Sequence, residues 1–182
     1  DPFGQGYFLP RGFLRDDLSS LARAHLIVLN HIDNEEEFLS VRNELKAYSH
    51  APMIGVRGFV SSIRDFKGQE APSLKGKKAG MVCAIANPEY FKRTLEAEGL
   101  LVEQELIKAD HISFHKNELH SFTQDCLKKG IQCLVCTEKD RVKLEDDLHL
   151  PLPFYWVELE LNVVAGQEEW SSFLQRAESK IT

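Results

Sequence analysis

The sequence predicts an α/β fold, a Rossmann-like and mainly parallel sheet flanked by helices. Three observations lead there. Continuous apolar runs of the buried-strand type recur at residues 26–29, 79–86 and 131–136. Segments of helical periodicity separate them, and that alternation implies parallel strands joined by right-handed crossovers. With 43% hydrophobic residues over 182 positions, the chain is long enough to bury one sizeable core.

Taken in order, residues 1–15 mix Gly4, Gly6, Pro10 and Gly12 with Phe3, Tyr7, Phe8, Leu9, Phe13 and Leu14. This is too broken for regular structure and too apolar for a free tail, so it is expected to pack on something. Asp16 or Asp17 caps a short helix to Arg23, and the strand at 26–29 follows. Asp33 or Asn34 caps the next helix, where Phe38, Val41, Leu45 and Tyr48 share a face and Pro52 marks the end. Residues 53–59 and 60–63 read as extended. Residues 64–78, with Gly68, Pro72, Gly76 and four lysines, read as a connecting loop and the best place for a domain boundary.

Beyond the strand at 79–86, Asn87-Pro88-Glu89 supplies a cap, a first-turn proline and a first-turn acid for a helix that runs to Gly99. A strand over 100–107, an amphipathic helix over 116–129 closed by Gly130, the strand at 131–136 and a short charged helix over 137–144 come next. Residues 154–164 alternate apolar and polar positions, which suits an edge strand with one wet face. A last helix spans 168–179.

Composition excludes some functions. Asp and Glu outnumber Lys and Arg 28 to 22, for a net charge of −6, which argues against a nucleic-acid partner. No run of about 18 apolar residues occurs, so no transmembrane segment is expected. The four cysteines read as core residues of a reducing, cytoplasmic compartment. The first residue is Asp1 and not Met, which suggests a trimmed or partial chain.

The motif search gives negatives first. The sequence contains no GxxxxGK[ST] phosphate loop and no GxGxxG after a strand. Cys133 and Cys136 have CxxC spacing, but residues three apart on a strand face opposite sides, so they read as core. Asp110-His111-Ile112-Ser113-Phe114-His115 follows a strand, where open α/β sheets place ligand sites. His111 there can assist a general base if a carboxylate fixes its tautomer, or can be a solvated helix cap. Metal binding by His111, His115 and His120 lacks a closed ligand set, so no metal site is expected. Thr137-Glu138-Lys139-Asp140 sits at another strand-to-helix turn and is either an anion cradle or a capped, salt-bridged helix start. Arg15, in the glycine-rich opening segment, is of the type that forks onto phosphate oxygens.

Three stretches in order resemble the tetraacyldisaccharide 4'-kinase family. Phe3-Gly4-Gln5-Gly6 through Leu14-Arg15-Asp16 is similar to that family's FGNG…LPAGPLRE segment. Ile85-Ala86-Asn87-Pro88-Glu89-Tyr90-Phe91 resembles its GIGNPERF turn, with Asp110-His111 in the place of its DHH or DHxxF step. Thr137-Glu138-Lys139-Asp140-Arg141-Val142-Lys143-Leu144 resembles TEKDAVKL.

The resemblance implies a P-loop kinase with a second Rossmann-like domain, which transfers the γ-phosphate of ATP to the 4'-hydroxyl of a tetraacyldisaccharide 1-phosphate, giving lipid IV-A in lipid A biosynthesis. It implies that the Walker A loop, the Mg2+-binding acids, a membrane-binding helix and the Asp of a catalytic dyad lie in an N-terminal half. That half would then be this chain's partner, with the lipid disaccharide as substrate, at the cytoplasmic face of the inner membrane. Residues 1–66 would be the end of the kinase domain and the connection, and residues 67–182 the C-terminal Rossmann-like domain. His111 matches the His of the dyad and Arg15 a catalytic Arg. Asp16, Asp110 and Thr137 are the expected substrate- or nucleotide-binding residues. The chain departs from the pattern at Phe13 for Pro, Asp16 for Glu, Ile112 for the second His, and Ala84 and Ala86 for glycines. A non-catalytic α/β binding module derived from such a kinase is the alternative.

Overall fold

The computed structural model describes residues 3–8, 10–110, 112–145 and 148–179. Six strands form one sheet in the order β1 (Ile27–Asn30), β2 (Met53–Asp65), β6 (Phe154–Ala165), β5 (Cys133–Thr137), β3 (Lys78–Cys83) and β4 (Leu101–Ile107). The pairs β1–β2, β3–β4, β3–β5 and β5–β6 are parallel. Contacts between β2 and β6 climb one strand as they descend the other: Ser61 Oγ donates to the Glu158 carbonyl and Trp156 Nε1 to the Asp65 carbonyl. The helices are α1 (Glu35–Leu45), α2 (Pro88–Ala97), α3 (Lys116–Lys128), α4 (Glu138–Arg141) and α5 (Gln167–Glu178). The α/β class with a mainly parallel, helix-flanked sheet is thus the observed one.

The chain divides into two compact units, residues 1–58 with 161–182, and residues 59–160. The loop at 64–78, where a boundary was expected from composition, lies inside the second unit.

In the unit 59–160 the period of two along the parallel strands builds two cores. Ala79, Met81 and Cys83 of β3 join Cys133 and Val135 of β5 under Phe91 and Leu95 of α2. Val82 and Ala84 join Leu134 and Cys136 on the other face, under Leu119 and Cys126 of α3. Burial on both faces explains why these strands read as unbroken apolar runs. Helix α2 starts where the sequence says it should: the Asn87 side chain accepts from Tyr90 N at 3.0 Å, and Pro88 occupies the first turn.

In the unit formed by 1–58 and 161–182, Ile27, Leu29 and Met53 pack with Phe38 and Leu45 of α1 and with Ala165. Asn34 caps α1 by accepting from Glu37 N at 2.9 Å, and Asp17 caps a 3-10 helix over Leu18–Arg23.

Two sequence expectations are corrected. Strand β6 is no edge strand, since it lies between β2 and β5, and the edges are β1 and β4. Its alternating polar positions face partners as well as water: Glu158 accepts from Arg64 Nε at 2.8 Å and also bonds Ser62 Oγ. Strand β2 is likewise one element of 13 residues instead of two.

Candidate functional site

Strands β3, β4 and β5 are mutually parallel, so the turns that follow them open at one end of the sheet, the end at which such folds hold ligands. Two sequence-predicted stretches meet there. Lys139 Nζ, on α4 after β5, lies 2.7 Å from Asp110 Oδ1, in the turn after β4. The turn bearing Asp110 is thereby joined to the start of α4, while Thr137, the residue before α4, is itself buried. His111, the expected dyad histidine, lies outside the described residues.

What holds this end rigid is a residue that the sequence reading did not single out. Asp140 is fully buried. Its Oδ2 accepts from Ala84 N at 3.0 Å and from the Thr137 hydroxyl at 2.8 Å, and its Oδ1 accepts from Lys143 Nζ at 2.9 Å. A buried carboxylate is tolerated only when its lone pairs are taken up in this way. The same Thr137 oxygen accepts from Asp140 N at 3.1 Å, so this hydroxyl caps α4 while it bonds the carboxylate. One side chain thereby ties the end of β3, the end of β5 and α4 together. A Thr-x-x-Asp step after an apolar strand was the signal available, and it reads equally as an ordinary cap.

The chain from β4 to α3 is pinned from its other side. Lys108 Nζ is 2.6 Å from Glu118 Oε2, donates to the Ser113 carbonyl at 3.1 Å, and sits 5.2 Å from the centroid of the Phe114 ring. Lys108 holds the Glu118 carboxyl below the usual carboxylate range. Glu118 also accepts from His115 N at 3.4 Å, at the start of α3.

Ala84 and Ala86, where the family pattern has glycine, do not take positive φ; among the described residues only Gln5 and His31 do so without being glycine. The methyl groups therefore carry no left-handed strain. The CxxC pair splits between the two cores, Cys133 on the α2 face and Cys136 on the α3 face. Burial raises the Cys133 thiol to about 11 and Cys136 well above its ordinary value. Among the described residues no group of three or more His, Cys, Asp or Glu could hold a metal ion.

Arg15 and Asp16 belong to the other unit and are exposed. The segment before them folds on itself: Phe13 N donates to the Gly4 carbonyl at 2.8 Å and Leu14 N to the Tyr7 carbonyl at 3.0 Å. Gly12 is required there, because a Cβ would stand 2.3 Å from Tyr7 O and 2.4 Å from Gly4 O. The guanidinium of Arg11 stacks 3.7 Å from the Tyr7 ring centroid. Arg15 is thus presented at the end of a tightly closed turn.

The family model for tetraacyldisaccharide-1-P 4'-kinase matches residues 1–179. Curated relatives named tetraacyldisaccharide 4'-kinase include those of Chlamydia abortus, 30% identical over 97% of this chain and 48% of the relative, and Pelodictyon phaeoclathratiforme, 28% identical over 97% and 52%. The chain spans about half the length of these relatives. A crystal structure described as the "apo" form of LpxK from Aquifex aeolicus in complex with ATP superposes with a TM-score of 0.52 at 16% identity, covering 93% of this chain and 47% of that one. That likeness shows the fold, and the sequence match adds the lineage: the chain belongs to the tetraacyldisaccharide-1-P 4'-kinase family.

Proposed function

We propose that this chain is the C-terminal half of a lipid kinase that transfers the γ-phosphate of ATP to the 4'-hydroxyl of tetraacyldisaccharide 1-phosphate, giving lipid IV-A. The family match over residues 1–179 carries the reading. The braced strand ends bearing Asp110, Thr137 and Asp140 support it, because phosphoryl transfer depends on rigid positioning of charged groups.

In this reading His111 orients or activates an Asp of the N-terminal half, which takes the proton of the 4'-hydroxyl. Arg15 offsets negative charge on the moving phosphoryl group, with Asp16 beside it near the nucleotide. Asp110 and Thr137 border the site at the strand ends. The described residues do not fit a Mg2+ site, since they gather no acidic cluster. The ion and the phosphate loop are assigned to the N-terminal half. No helix of the described residues is long and apolar enough to cross a membrane, and the proposal places the full-length protein peripherally on the cytoplasmic face of the inner membrane.

The test is phosphorylation of the disaccharide by full-length protein. His111→Ala should lower the rate of phosphoryl transfer, and an unchanged rate at saturating ATP and lipid refutes the assignment. This chain alone should be inactive and should regain ATP-dependent activity when mixed with the separately expressed N-terminal half. Full-length protein that binds the lipid without phosphorylating it would instead support the non-catalytic module suggested by Asp16 and Ile112.

A further inference from the structure

We propose that Lys139 is a positioning residue for phosphoryl transfer, acting through its ion pair with Asp110. The inference rests on the kinase reading above and deepens it. Asp110 directly precedes His111 in the chain, and its carboxylate is met by the Lys139 ammonium at 2.7 Å from an element 29 residues away. The pair is partly exposed, with 45% and 32% of the two side chains accessible. Exposed pairs of this kind contribute little to folding, about 0–1 kcal/mol. Geometry is the stronger reason for its presence.

Lys139 is built on a fixed support. Its neighbours on either side are Glu138, which starts α4, and Asp140, whose buried carboxylate locks α4 to the ends of β3 and β5. The turn it reaches is fixed at its far end by Lys108, which holds the Ser113 carbonyl and Glu118. The Lys139 bond is thus the brace on the near end of that turn. A lysine on a braced helix transfers the rigidity of the sheet to the backbone around Asp110. Catalytic groups must be held to a fraction of an ångström for full effect, so loosening this brace should cost rate before it costs stability.

The experiment uses full-length kinase, with kcat, the KM for ATP and the melting temperature measured for each variant. Lys139→Met should lower kcat at least tenfold, leave KM within about twofold, and shift the melting temperature only slightly. Lys139→Arg should restore most of kcat, because a cation of similar reach is returned. Asp110→Asn should give a comparable loss, and the double variant should be no slower than the slower single, as two ends of one contact require. The inference is overturned if Lys139→Met keeps full kcat, if the two losses multiply, or if its melting temperature falls in step with the rate. Unsubstituted protein without kinase activity would overturn the kinase reading itself, whereas active protein indifferent to Lys139→Met removes only this inference.

Discussion

Replacing Asp140 by Ala is the most informative perturbation of the fold. The carboxylate is fully buried and has three donors, Ala84 N, the Thr137 hydroxyl and Lys143 Nζ. Truncation strands a buried backbone N–H on Ala84 and a buried hydroxyl on Thr137, and it leaves Lys143, 18% exposed along its side chain, without its counter-charge. Each orphaned buried donor costs about 1–3 kcal/mol, and breaking a buried pair by removing one partner costs about 3–5 kcal/mol. Lys143 can turn to solvent and Thr137 keeps its bond from residue 140 N, so we expect a total of about 3–5 kcal/mol and not the sum. Asp140→Asn keeps one oxygen for Ala84 N and Thr137 and loses only the charged bond to Lys143, a cost of about 1.5–3 kcal/mol. Urea unfolding with linear extrapolation reads both values. A loss under about 1 kcal/mol for Asp140→Ala, or equal losses for Ala and Asn, would refute the account.

Two more expectations concern the cores and a turn. All four thiols are buried, and burial raises Cys83 to about 12 and Cys126 and Cys133 to about 11, from an ordinary 9.0. A thiol reagent at pH 8 should therefore label none of them in the folded chain and all four in denaturant, and because the unfolded thiols ionise first, stability should fall as pH rises from 9 towards 12; rapid labelling of folded protein would contradict the burial. Gly166, which opens α5, has φ of 79°, and a Cβ there would stand 2.6 Å from Met53 O, so Gly166→Ala should cost about 2 kcal/mol or more in the same unfolding assay, and a neutral result would show that the turn relaxes freely.

The alternation of apolar runs and helical segments made the parallel sheet legible, because strands such as β3 and β5 are buried on both faces and carry little besides apolar side chains. The caps Asn34 and Asn87 were legible because their chemistry is local. What escaped was non-local. The alternation of β6 does not tell whether Glu158 meets water or Arg64, a residue 94 positions away. Asp140 was equally hidden, since a carboxylate in a charged tetrapeptide reads as surface unless the approach of Ala84, 56 positions distant, is known. Of the candidate site, the sequence located the strand-end turns and gave no sign that Lys139 and Asp110 touch.

The two long strands have a consequence for biosynthesis. The unit 59–160 is uninterrupted in sequence, whereas the other unit is assembled from residues 1–58 and 161–182. On a ribosome the inserted unit is complete while its host still waits for its last segment. Val164 and Ala165, which seal the core around Ile27, Leu29 and Phe38, are made only after that inserted unit. A chain stopped at residue 160 would retain every residue of one unit and leave the other with an open core, a state in which β1 and α1 offer their apolar faces to chaperones and proteases.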